Sequence, residues 1–255
     1  MCSSDLAMIS WGASQPARFA DAVAEADRFL AEFAESRHLP SVRALKARAA
    51  WLSGDAEAAR DGYRALHDAG SGGADGYPAL MVAEAALSAG HAAIAAKDTG
   101  TARELFTAAE NAFREIAAGD SADATRAAAG VEEASLGESY SRIAREDFAG
   151  ARGALERAVD KMETPAGRAA ARLALGHCMV GLGENQAAIR VLGWVSGLDH
   201  SNADRRAMAL VALAQAEMGL GDKGRTAAKA ALDRVVASYG GTPAAATARA
   251  ILATF

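Results

Sequence analysis

The chain has 255 residues, 69 of them alanine, so 51% hydrophobic residues coexist with only 5% aromatic and a net charge of -5. That acidic balance gives no general attraction to nucleic acid or to an anionic membrane. No stretch approaches the roughly 18 consecutive apolar residues needed to span a bilayer. Two cysteines, Cys2 and Cys178, do not make a disulfide scaffold, and a cytosolic setting is the default.

Cys2-Ser3-Ser4-Asp5-Leu6 reads as the translation of a sequencing-adapter end, and it lacks the charged-then-apolar order of a signal peptide. Residues 1–13 are therefore expected to lie outside the fold. Residues 14–255 are expected to form one domain that has lost its true amino terminus, and an export signal or upstream module could have gone with it. Residues 16–37 carry Phe19, Val23, Ala26, Phe29, Leu30 and Phe33 at helical spacing. Ser14 or Gln15 precedes the first turn with Pro16 beside it, and His38-Leu39-Pro40 is expected to end the helix. A first complete pair runs from about Ser41 to Leu52, turns through Ser53-Gly54-Asp55 with Asp55 as N-cap and Ala58 at N3, and resumes to about His67. Gly70 to Gly76 reads as an inter-repeat loop.

A second pair spans Pro78 to Ala96 and Thr101 to Ala118, with Lys97-Asp98-Thr99-Gly100 as its turn and Leu105, Phe106, Ala109, Phe113 and Ile116 on one broad face. The third begins after Gly119-Asp120-Ser121, continues towards Ala144, turns at Arg145-Glu146-Asp147 and returns from Phe148 to about Met162. Gly130 and Gly137 in its first helix mark either a close crossing or a break. Thr164-Pro165 starts the fourth pair as N-cap hydroxyl and first-turn proline. Leu173, Leu175, Gly176, Met179 and Val180 face a partner helix that carries Ala188, Ile189, Leu192 and Val195. A fifth pair follows Ser201, with a core from Met208 to Met218, a turn at Gly219-Leu220-Gly221-Asp222 and a return over Ala227 to Val236. Thr242-Pro243 opens a final helix that runs to Phe255.

The turns align on Gly54, Lys97, Glu146, Gly183 and Gly221, with spacings of 43, 49, 37 and 38 residues. Seven residues before each anchor stands a small residue: Ala47, Gly90, Ser139, Gly176 and Ala214. Five after it come Ala59, Ala102, Ala151, Ala188 and Thr226, and nine after it Tyr63, Phe106, Leu155, Leu192 and Ala230. Small residues let antiparallel helices approach, and the larger residue one turn on is expected to fill space against the neighbouring unit. Recurrence at this period predicts an all-α superhelix, a solenoid of about five antiparallel helix pairs.

These positions resemble the tetratricopeptide repeat (TPR) family over roughly residues 41–240. Leu175-Gly176 and Leu213-Ala214 match its packing pair. Gly54, Gly183 and Gly221 match its turn glycine, Ala59, Ala102, Ala151 and Ala188 its alanine, and Tyr63 and Phe106 its aromatic. The family's tryptophan is absent in every register, and its repeat-end proline is matched only loosely by Pro165 and Pro243. The long spacings also look like the solenoid sensor regions of large bacterial transcription regulators. The resemblance implies binding of a peptide segment or a sister domain of the same parent protein, with no reaction and no cofactor. No direct nucleic-acid partner and no membrane insertion are expected.

Little points to chemistry. His38, His67, His91, His177 and His200 show no zinc-binding spacing. The side chains of His177-Cys178 diverge by about 100° on a helix, which suits packing better than proton transfer. Gly219-Leu220-Gly221-Asp222-Lys223-Gly224 lacks the spacing and preceding strand of a phosphate loop. Asp55, Glu184 and Asp222 are read as helix caps. Arg43, Lys46, Arg142, Arg172, Arg205 and Arg206 stand on first helices, where some should line a groove attractive to an acidic segment. Trp194 shares a face with Arg190 and is either an interaction residue or a cap on the repeat edge; Trp51 is similarly placed beside Leu52.

Overall fold

The computed structural model describes residues 18–70, 79–119, 123–199 and 202–255. Among them are thirteen α-helices and no strand. They divide into two compact units, one ending at Ser135 and the other spanning Leu136–Phe255.

The earlier unit holds α1 (Phe19–Glu32), α2 (Leu39–Ser53), α3 (Ala56–Gly70), α4 (Ala79–Ala95), α5 (Thr99–Ala117) and α6 (Ala124–Ala134). Helices α1 to α5 each pack on the helix that follows. Helix α1 stops at Glu32, well before His38-Leu39-Pro40, where it was expected to end. Pro40 instead lies in the first turn of α2, where a missing N–H has no intrahelical acceptor to lose. The start near Ser14 and Pro16 and the loop at 71–76 lie outside the described residues.

The later unit holds α7 (Gly137–Ala144), α8 (Phe148–Lys161), α9 (Pro165–Gly181), α10 (Asn185–Leu198), α11 (Ala203–Met218), α12 (Asp222–Ser238) and α13 (Pro243–Leu252). Thr164 caps α9 by accepting the Gly167 N–H at 2.9 Å, with Pro165 at N1, as expected. Asn202 does the same for α11, accepting from the Arg205 N–H. Asp120, Ser121, His200 and Ser201 lie outside the described residues.

Four of the five aligned anchors are one backbone device. Gly54, Lys97, Glu146 and Gly183 have φ of +90°, +61°, +62° and +74°. At each, the next residue's N–H reaches back to a carbonyl five positions earlier: Asp55 to Ala50, Asp98 to Ala93, Asp147 to Arg142 and Glu184 to Met179. This is the Schellman closure of a helix end, in which the left-handed residue turns the chain so that the last carbonyls find donors. Asp55, Asp98 and Asp147 then cap the following helix, accepting from Ala58, Thr101 and Gly150. Because Asp98 caps, α5 starts at Thr99, and Thr99 and Gly100 belong to the helix rather than the expected turn.

The fifth anchor differs. Gly221 has φ +71° and ψ −147°, no closure of that kind forms, and α12 starts directly at Asp222. The altered turn displaces the register. Thr226, Ala227 and Ala230 are exposed, and the buried series is Ala228, Leu232 and Val235. That series repeats the spacing of Ala188, Leu192 and Val195, so the alignment at Thr226 and Ala230 is two residues out of step.

Small residues do sit at the helix crossings: Ala47, Gly90, Ser139, Gly176 and Ala214 are all buried. A Cβ on Gly90 would meet the Phe106 ring at 2.9 Å, and one on Gly176 would meet a Leu192 methyl at 2.4 Å. The large residue therefore fills the space against its own pair's first helix, not the neighbouring unit as expected. This small-against-large seam accompanies a left-handed turn in the pairs built on Gly90 and Gly176. Between pairs, Phe113 of α5 presses on Gly130 of α6.

Both readings offered for the third pair's first helix hold. Gly130 is a close crossing, and the helix is also broken at Ser135 and Leu136. Their ψ angles of −15° and −2° flatten the chain away from the α-helical value of about −42°. Ser135 Oγ donates to the Glu132 carbonyl at 2.7 Å, competing for an acceptor that the ladder would otherwise use. Leu136 is buried in the apolar cluster of the later unit.

Candidate protein-interaction site

The groove candidates separate once their partners are known. In the earlier unit, Arg43 is half-buried, and Lys46 on α2 reaches Asp27 on α1 at 2.5 Å. That pair is open to water and contributes little to stability. Trp51 packs beside Ala50, Ala59, Ala92 and Tyr63, a core position.

In the later unit, Arg142 braces a turn. Its Nε donates to Glu138 at 3.1 Å and a terminal nitrogen donates to the Gly150 carbonyl at 3.2 Å, tying α7 to the first turn of α8. Arg205 does not line an open surface, contrary to expectation. Its side chain is 7% exposed and pairs at 3.1 Å with Asp199, itself 2% exposed. Arg206 donates to the Ser196 carbonyl at 3.4 Å, and its guanidinium stands 5.8 Å from the Tyr239 ring. Both arginines thus serve the carboxyl end of α10, where cations complement unsatisfied carbonyls and the helix dipole.

Arg172 and Trp194 come together. The guanidinium carbon of Arg172 on α9 lies 3.9 Å from the Trp194 ring centre on α10, close enough for cation–π attraction. Trp194 is half-buried against the central apolar cluster of the unit. It therefore caps the packed edge while remaining partly open to solvent.

The expected caps are corrected in part. Asp55 caps, but Glu184 makes no capping bond and instead pairs with Arg152 of α8. Its longer side chain reaches across to the neighbouring helix. Asp222 is the first residue of α12 rather than its cap. Sequence reasoning also missed the ion pair of Arg126 with Glu84 at 2.6 Å between α4 and α6, and the approach of His91 Nε2 to Glu133 at 3.3 Å beside it. Burial raises the Glu84 carboxyl above the ordinary range, and Arg126 opposes that shift.

His177 and Cys178 have environments that suit packing. Desolvation lowers the His177 imidazole to about 4. Burial, assisted by Asp147, raises the Cys178 thiol to about 11, and the residue is fully buried. A neutral imidazole beside an un-ionised, enclosed thiol is the opposite of an activated pair.

Exposed large apolar side chains occur at Leu182, Leu198, Met208 and Met218. Met208 and Met218 lie on one outward stripe of α11 with Asp204 and Gln215. Among the described residues, no helix is long and apolar enough to cross a membrane.

No family model matches the chain, and no curated protein matches it either. Among solved structures it is similar to a kinesin light chain from Podosopora anserina with nearly identical TPR-like repeats. The identity is 17% and the TM-score 0.41, over 80% of this chain and 96% of that one.

Proposed function

We propose that the protein is a non-enzymatic interaction scaffold that binds a peptide segment or a sister domain on its helical-repeat surfaces. The observation that carries this reading is the division of labour within each pair. Inward positions carry small-against-large packing, as at Gly176 and Leu192, while the same helices carry Arg172 and Trp194 further out and α11 exposes Met208 and Met218. Of the candidates read from the sequence, Arg172 and Trp194 remain as binding residues. Lys46 and Arg142 are engaged with neighbours, and Arg205 is structural. The outward arginine and tryptophan belong to the residue types that dominate measured binding hot spots.

An array of short peptides covering acidic, basic, apolar and free-carboxylate classes, titrated against the full chain, tests the reading. Saturable binding by at least one class is expected. Absence of binding by every class would remove the peptide-binding reading.

A further inference from the structure

We propose that the Arg172–Trp194 stack is the centre of a docking site for an acidic peptide segment, built across the α9–α10 seam. The proposal rests on the protein-binding reading above and gives it a place and a chemistry.

The site follows from two helical stripes brought side by side. Arg168 and Arg172 are one turn apart on α9, and Arg190 and Trp194 are one turn apart on α10, so each pair shares a face. The contact between Arg172 and Trp194 joins the stripes into one patch. Arg168 and Arg190 are exposed, and Arg172 is half-exposed.

Among the described residues, no carboxylate pairs with Arg168, Arg172 or Arg190; Arg168 donates to the Glu163 carbonyl, a neutral acceptor. Elsewhere the protein pairs such cations routinely, as in Arg60 with Asp61, Arg152 with Glu156 and Arg205 with Asp199. Arg172 has no hydrogen-bond acceptor among the described residues, yet none of its nitrogens is buried, so its N–H edge meets solvent.

Stacking uses the face of a guanidinium and leaves its donors free at the edge. Trp194 thus holds Arg172 in one orientation and lowers the entropy that a ligand carboxylate would otherwise have to overcome on binding. The same ring offers an apolar surface to a side chain flanking that carboxylate. Glutamate or aspartate next to an apolar residue is the chemistry that satisfies both elements. The chain as a whole carries a net charge of -5, so the patch is a local basic feature on an acidic protein and selects by position rather than by bulk attraction.

The test uses the full chain and three fluorescent probes: an oligoglutamate peptide containing one leucine, its glutamine counterpart, and a single-stranded oligonucleotide. Saturable binding of the glutamate probe is expected, weakening as ionic strength rises from about 0.05 to about 0.5 M. The Arg172→Gln/Arg190→Gln double variant should lose roughly tenfold or more in affinity with unchanged helicity, and Arg190→Lys should recover part of the loss of Arg190→Gln. In wild type the probe should perturb tryptophan emission, and Trp194→Phe should abolish that perturbation. Equal affinity of wild type and the double variant would overturn the site while leaving acidic-peptide binding elsewhere. Equal binding of the glutamine probe, or binding of the oligonucleotide alone, would overturn the acidic-peptide assignment. Peptide-array binding by another class would then preserve the scaffold reading.

Discussion

Gly176 and Leu192 occupy complementary volumes across the α9–α10 seam: a Cβ on the glycine would stand 2.4 Å from a carbon of the leucine side chain. Both residues are buried, so neither has room to yield. Gly176→Leu is therefore expected to destabilise the later unit by about 1–3 kcal/mol through overpacking. Urea denaturation followed by circular dichroism measures this. An unmoved midpoint and slope would mean that the crossing tolerates a side chain there.

The buried pair of Arg205 and Asp199 makes a different demand. Arg205→Ala would leave a 2% exposed carboxylate without its cation and is expected to cost about 3–5 kcal/mol. Arg205→Met combined with Asp199→Leu should be far milder than either single change, because both desolvated charges disappear together. If Arg205→Ala were as stable as wild type, the pair would be an exposed one in solution.

The displaced register of α12 predicts opposite outcomes two residues apart. Leu232→Ala removes a fully buried side chain and should cost about 2–5 kcal/mol. Ala230→Ser lies on the exposed face and should stay within about 0.5 kcal/mol of wild type. Thermal midpoints of the two variants would decide between the observed register and the one read from turn spacing, for which Ala230 is the packing position.

His177 links stability to pH. Its folded value of about 4 lies below the ordinary 6.5, so between those values the unfolded chain takes up a proton that the folded chain does not. The contribution is fully present above about 6.5 and is lost as pH falls towards 4. In His177→Gln the stability difference between pH 7 and pH 5 should shrink relative to wild type. An identical slope would show that the imidazole is solvated. The neighbouring thiol, raised to about 11, should resist alkylation at neutral pH until the protein is unfolded.

Most of the fold was legible because its signals are local. Thr164-Pro165 starts a helix and Asp55 caps one with side chains that act within three residues of themselves. Lys97 and Glu146 could be aligned with Gly54 and Gly183 although neither is glycine, because the flanking small, alanine and large positions recur around them. The failures depend on neighbours remote in sequence or on turn geometry. Glu184 and Asp55 occupy equivalent places after a turn, yet Arg152, 32 residues away, draws Glu184 off its own helix end. Arg205 has the composition of a groove residue and is enclosed because Asp199 is there to receive it. The fifth register slipped because Gly221 is a glycine in the right place performing another turn. Of the candidate site, the pairing of Arg172 with Trp194 could not be read from spacing, since nothing in sequence fixes how far α9 slides along α10.

The interruption at Ser135 and Leu136 ends one helix and begins the next. Ser135 finishes one helix with its hydroxyl, and Leu136 commits its side chain to the apolar cluster that follows. A crossover at that bond would carry away the seven described helices that follow it together with the clusters they bury, and would part them from the six described helices before it.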